Sequence, residues 1–327
     1  MATQNLIALD RIRVFITLLV VAHHSVLAYV QHGYFDQEHY LWSTAPIVDS
    51  NKWIGFDLFV LFNDTFFMSL MFLLSGLFVW PSLLQKGASQ FLRERARRLG
   101  LPFVVVALTL MPLAYYPSSL LTGSNIGFGA FWREAIAIGP WPTGPAWFIW
   151  LLLVFDFLAV AAVGLMHETV VSLGRASLES KDRPMRAFLL LVGVSMLAYF
   201  VMVLPFGATY WLAFGPFAVQ ASRILLYMVY FFFGVILGAG GLEKGLLSCN
   251  GMLRRRWLLW LGSALGTFFA LVIMQVRPSE LSITYWRITQ YVLQVVSCGF
   301  LTFALVAIFL RYKGKGVSVL DRVRSEA

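Results

Sequence analysis

The sequence predicts an all-α, polytopic bundle of membrane-spanning helices, and three observations predict it. Of 327 residues, 59% are hydrophobic and 13% charged, where soluble domains carry roughly 25% charged residues, and the mean hydropathy is +0.77. The apolar residues gather in eight runs, each near the ~20 residues needed to cross about 30 Å of hydrocarbon. Lysines and arginines concentrate between alternate runs, so the formal charge of +9 has a topological cause and no nucleic-acid partner is expected. Two cysteines, Cys249 and Cys298, are too few and too scattered for a disulfide framework or metal site. No internal repeat is visible, and the chain reads as one domain, 1–327.

The runs fall at about 11–30, 56–80, 101–121, 146–166, 187–206, 222–241, 257–276 and 288–310. The first is longer than a cleaved signal's apolar core and holds two histidines near its end, which argues for retention as a span. The connection 31–52 carries His32, Asp36, Glu38, His39 and Asp49. A loop at 90–103, "QFLRERARRLGLPF", is rich in arginine. The connection 122–145 is rich in Gly, Pro and aromatics, with an amphipathic, interfacial segment at 128–138. If the N-terminus is cytoplasmic, twenty of the 25 lysines and arginines fall inside, including Arg93–Arg98, Arg254–Arg256 and the C-terminal Arg311, Lys313, Lys315, Arg322 and Arg324. Lys52, Arg133, Arg223, Arg277 and Arg287 fall outside. That bias places both termini in the cytoplasm.

Polar residues inside spans are costly and are functional candidates by default. Arg13 and His24 lie about 20° apart on a helical wheel and about 16 Å apart along the axis. With Asp10 and Thr17 they form one polar stripe, Arg13 toward the inner end and His24 in the outer half. Two readings fit: a helix-end Asp10–Arg13 anchor with a hydrogen-bonded core histidine, or a stripe lining a wet cavity. His23 points about 100° away and reads as structural. In the second span, Asp57 fits the outer interface, while Asp64 and Ser75 share a face as secondary lining candidates. Asp156 in the fourth span is expected to pair with an arginine. The arginines at 90–103 fit either contact with anionic lipid or a patch for the phosphates of a nucleotide-containing acyl donor, since the guanidinium fork pairs phosphate bidentately. Trp141, Trp147, Trp150, Trp211 and Trp286 fit an interfacial aromatic belt.

Five blocks in order make the chain resemble the membrane-bound acyltransferase type 3 family, and within it the glucan-biosynthesis protein C-like branch. They are Asp10-Arg11-Ile12-Arg13 with His24; "FFMSLMFLLSGLFV" (66–79) with Ser75-Gly76; and Arg95, Arg98, Leu99 and Pro102. "GPAWFIWLLL" (144–153) and "SRILLYMVYFFFGVILG" (222–238) complete the set. The resemblance runs from about residue 8 to the end of the chain. It implies a bacterial inner-membrane enzyme that moves an acyl group, of acetyl or succinyl type, from acyl-CoA to a hydroxyl of a glycan or other envelope molecule. Acyl-CoA is then a cosubstrate, with no bound cofactor or metal, and membrane lipids are the remaining partners. His24 becomes the general base, Arg13 orients the donor or stabilises the acyl oxygen, and Asp10 holds Arg13. Arg95 and Arg98 bind the donor's phosphates. Two departures stand out. Leu152 and Leu153 occupy positions where many members carry acids, and the chain stops at "DRVRSEA", where members usually continue with further spans. A glycan or lipid transporter, or an inactive envelope scaffold, are the alternative classes.

Overall fold

Backbone amides in hydrocarbon have no water to bond, so long apolar runs fold as helices whose hydrogen bonds are internal. The computed structural model describes residues 4–139, 141, 144–276 and 283–312. Arg277, Lys313, Lys315, Arg322 and Arg324, counted in the charge balance, lie outside the described residues, as does the terminal "DRVRSEA".

Helix α1 (Gln4–Val26) leads through two short 3-10 turns to α2 (Ile54–Gly76), followed by α3 (Val79–Lys86) and α4 (Ala88–Arg95). Then come α5 (Leu101–Val105), α6 (Met111–Leu121), α7 (Phe128–Ile138), α8 (Trp147–Leu165), α9 (His167–Ser177) and α10 (Pro184–Phe206). An antiparallel hairpin, β1 (Trp211–Phe214) and β2 (Phe217–Gln220), precedes α11 (Ile224–Gly240). The chain continues with α12 (Met252–Arg255), α13 (Trp257–Val276) and α14 (Ile283–Arg311). The hairpin was not expected from the sequence, but the all-α polytopic architecture holds.

Seven helical stretches among the described residues are long and apolar enough to span a membrane: 54–86, 88–121, 144–165, 184–206, 221–240, 257–276 and 283–311. These correspond to the second through eighth expected runs. The first run is also a helix, α1, of 23 residues. Its Asp10, Arg11, Arg13, His23 and His24 make it too polar to meet the same standard, so the eighth crossing rests on length and packing. It packs against α2 and α14, with Leu9, Ile12 and Ile16 fully buried.

The segment 90–103 is not a loop. It is helical throughout and includes a widened π turn at Ala96–Gly100, and a second widened turn follows at Val106–Leu110. Each sits just before a proline, Pro102 and Pro112. A proline donates no amide hydrogen and its ring crowds the carbonyl four residues back, here Arg98 and Leu108. A widened turn relieves that clash without ending the helix.

The centre of the bundle is α2 against α11, with α14, α10 and α1 around them. A Cβ on Gly76 would strike the Phe231 carbonyl oxygen, one on Gly234 the Leu73 carbonyl oxygen, and one on Gly238 the Leu77 carbonyl oxygen. Small residues four apart let two backbones touch where no hydrophobic drive separates helix from lipid. This crossing holds the start of α11, which carries Arg223 just ahead of it, against the first half of α2.

Candidate active site

At the end of the bundle that bears the hairpin and the 27–53 connection lies a cavity of about 1430 Å³. Helices α1, α2, α8 and α11, the hairpin and the connections around residues 34–46 and 141–145 all contribute to its wall. Thr17, His23 and His24 reach it from α1, and Asp64 from α2.

The His24 ring is fixed by its own helix: Nδ1 lies 2.8 Å from the Val20 carbonyl oxygen. A carbonyl only accepts, so Nδ1 carries the hydrogen and donates it. In the neutral ring, Nε2 is then the unprotonated nitrogen with a free lone pair. That is the tautomer a general base needs. Thr17 donates its hydroxyl to the Arg13 carbonyl at 2.9 Å. His23 also lines the cavity, packed on Phe67 with ring centroids 5.0 Å apart and edge-on to His24 at 5.1 Å. The sequence reading of His23 as structural is therefore half the picture: it is buried, and it also faces the site.

Asp64 is held by Arg223, a residue the sequence reading placed in the outer charge count and in the 222–238 block but gave no role in the site. Nη2 of Arg223 donates to Asp64 Oδ2 at 2.7 Å, and Nη1 donates to the Asp64 backbone carbonyl at 3.0 Å. The Arg223 side chain is 12% exposed, whereas that of Asp64 is 41% exposed because it opens into the cavity. An arginine inside an expected span (222–241) facing an acid in another was a signal of pairing, because neither charge is tolerated there alone.

Aromatic side chains form much of the wall. Trp147 stacks on Tyr227 at 5.7 Å and meets Trp211 of the hairpin nearly at right angles, with centroids 6.2 Å apart. Trp141 lines the same space, and its backbone amide donates to Gly215 at the hairpin turn. The belt explanation is therefore incomplete for Trp141, Trp147 and Trp211, which line the cavity. Trp150 and Trp286 instead donate their indole hydrogens to the carbonyls of Ala218 and Met274.

The polar stripe of α1 divides between two environments. Thr17 and His24 reach the cavity, while Asp10 and Arg13 lie beyond it toward the arginine-rich end. Arg13 Nη1 is 3.6 Å from Asp10 Oδ1, Nη2 donates to the Leu74 carbonyl at 3.4 Å, and the guanidinium lies 4.0 Å from the Phe78 ring centroid. Arg95 itself is paired, as expected for Asp156: its Nε is 3.3 Å from Oδ2 of that fully buried acid, and it stacks over Phe91. Arg98 is exposed. Ser75 is not among the residues that line the cavity, and its hydroxyl donates to the Met71 carbonyl at 2.9 Å, as helical serines do when turned back on their own backbone. Asp57, in the first turn of α2, accepts from the amides of Gln31 and His32 and from the His32 ring. Among the described residues, no three His, Cys, Asp or Glu side chains gather closely enough to hold a metal ion.

A family model described as an acyltransferase domain (Acyl_transf_3) matches residues 6–320. No curated protein and no solved structure matches the chain. The family match starts inside α1, before Asp10, Arg13 and His24, and extends beyond α14, so it covers both the cavity and the arginine-rich end. The chain belongs to the acyltransferase 3 family, and it is a multi-pass membrane acyltransferase.

Proposed function

We propose that the enzyme moves an acyl group, of acetyl or succinyl type, from acyl-CoA to a hydroxyl of a glycan or other envelope molecule. In this reading it sits in the bacterial inner membrane with both termini cytoplasmic and belongs to the glucan-biosynthesis protein C-like branch. The observation that carries the chemistry is His24: one ring nitrogen is committed to Val20 and the other is free in a cavity large enough for an acceptor. Nε2 takes the acceptor's hydroxyl proton as its oxygen attacks the thioester carbonyl. The C–S bond then breaks, and the proton passes from His24 to the departing thiolate. Arg13, held by Asp10 and propped on Phe78, lies beyond the cavity toward the arginine-rich end, where a fixed cation orients the donor. Exposed Arg98 and half-buried Arg95 supply cations for the donor's phosphates, Arg95 with one edge already committed to Asp156.

Purified His24→Ala and Arg13→Ala proteins, assayed for acyl transfer from acyl-CoA to a glycan, test this. Loss of turnover in both is expected, and full activity in either removes that residue from the mechanism. One specific observation favours a transporter as the second reading: the cavity's volume exceeds the roughly 300–1,000 Å³ of small-ligand sites. Acceptor movement without acyl-CoA consumption selects it. Mass spectrometry of envelope glycans with and without the gene tests the acceptor class through a lost acyl mass.

A further inference from the structure

We infer that the bundle contains a second, internal site whose ligand is water: a short chain of ordered water molecules held between α2, α10, α11 and α14, behind Arg223. The inference goes beyond the acyl-transfer reading and does not depend on it.

The site consists of polar side chains that the bundle buries without bonding. Ser195 on α10, Tyr230 on α11, and Ser297 and Thr302 on α14 are at most 1% exposed. Their hydroxyl oxygens have no hydrogen-bond partner of acceptable geometry among the described residues, and neither has Arg223 Nε. A helical serine or threonine has an acceptor at hand, the carbonyl four residues back. Thr17, Thr65, Ser75 and Thr267 use it. Ser195, Ser297 and Thr302 do not, so their hydroxyls are left for another partner.

These groups also lie together. The Cys298 thiol has the hydroxyls of Ser69, Tyr230 and Thr302 as neighbours and feels the charge of Arg223. The ring contact of Tyr199 with Tyr291 and the approach of Val192 to Gly299 fix the antiparallel register of α10 and α14. That register sets Ser195 opposite residues 295–296, within one turn of Ser297. The unbonded groups therefore run from Arg223 inward along α14 to Thr302.

Chemistry selects the ligand. Buried polar groups that lack a protein partner are bonded to ordered water as a rule. Several left bare would cancel much of a domain's net stability. A cation has no acid to meet, because the nearby Asp64 is engaged by Arg223. An anion gains no net charge, because Asp64 already neutralises Arg223. A lipid chain would leave every hydroxyl unpaired. Hydroxyls both donate and accept, as water does. Arg223 Nε adds one further donor, so water there solvates the guanidinium on the side away from Asp64.

X-ray radiolysis tests this, since it makes hydroxyl radicals from bound water in place. The full chain in lipid nanodiscs is irradiated in water enriched in oxygen-18, and labelled side chains are read by mass spectrometry. Phe72, fully buried in an aromatic stack with Phe155 and Tyr227, is the dry reference. After correction for intrinsic ring reactivity, Tyr230 is expected to be labelled at least about tenfold faster than Phe72, because only Tyr230 has water beside it. A radical scavenger in the bulk should suppress labelling of Tyr312, which is 72% exposed, and spare Tyr230. The variant Ser297→Ala with Thr302→Val removes two of the hydroxyls that hold the water, and labelling of Tyr230 should fall about fivefold with Phe72 unchanged. Labelling of Tyr230 at the rate of Phe72 overturns the site. So does equal suppression of Tyr230 and Tyr312 by the scavenger, which would mean that radicals arrive from outside, and so does wild-type labelling in the double variant.

Discussion

At the scale of the single residue, His24 and Asp64 show how much a wheel diagram can say. Helical arithmetic joins His24 to Thr17 and Arg13 and turns His23 about 100° away, yet both imidazoles reach one cavity. The wheel gives direction around one helix, while the cavity wraps over more than one face of α1. Replacing His24 with Gln keeps a hydrogen-bonding side chain and removes the base, so initial-rate assays should show acyl transfer falling by about 10²–10⁴-fold. Asp64 was legible as a polar intruder but its partner was not, because a sequence does not say which of two distant charges meet. Asp64→Ala leaves the buried Arg223 guanidinium with only the residue-64 backbone carbonyl as partner, which should cost about 1–3 kcal/mol. Thermal unfolding in detergent should show the loss, and an unchanged midpoint would remove Asp64 from the support of Arg223.

Elements obey local rules that the sequence states openly, and tertiary contact gives those rules their meaning. Pro102 and Pro112 announce backbone irregularity, which predicts a break; continued packing of 88–121 turns each break into a widened turn instead. The Ser75-Gly76 block reads as a motif in the sequence, and its physical content lies in the glycine. Gly76 abuts the Phe231 carbonyl, while Gly234 and Gly238 on α11 abut carbonyls of residues 73 and 77. Gly234→Val forces α2 and α11 apart and should cost about 1–3 kcal/mol from overpacking, read as a lower unfolding temperature. A second element-level case is the Arg95–Asp156 pair between α4 and α8. Asp156→Leu alone strands a charge, whereas the double change Arg95→Met with Asp156→Leu should recover most of the lost stability, since well-packed apolar pairs replace buried ion pairs at little cost. A double variant no more stable than Asp156→Leu would mean that Arg95 is held by other contacts.

For the whole molecule, sidedness is the first question. The charge bias puts the arginine-rich end inside, and the fold gathers α3, α4, α9 and α12 at that end, with the cavity and hairpin at the other. In a background lacking Cys249 and Cys298, Ser50→Cys should react with an impermeant maleimide in intact cells. Ser89→Cys should react only after permeabilisation, and the reverse pattern would invert the orientation.

The sequence by itself determined the helical class, the seven strongly apolar spans and the polarity of α1. Those follow from composition and period, which act residue by residue along the chain. It also marked Asp10, Arg13, His24, Asp64 and Asp156 as groups needing a reason to be in a span. Only the tertiary structure decided which of them share a site. It sent His24 and Asp64 to one cavity and left Arg13 outside it, it matched Asp64 to Arg223 and Asp156 to Arg95, and it brought the Trp211 hairpin into the cavity wall. Those choices depend on which helices touch, and that was set by backbone contact at three glycines and by buried charges finding partners far away in the chain.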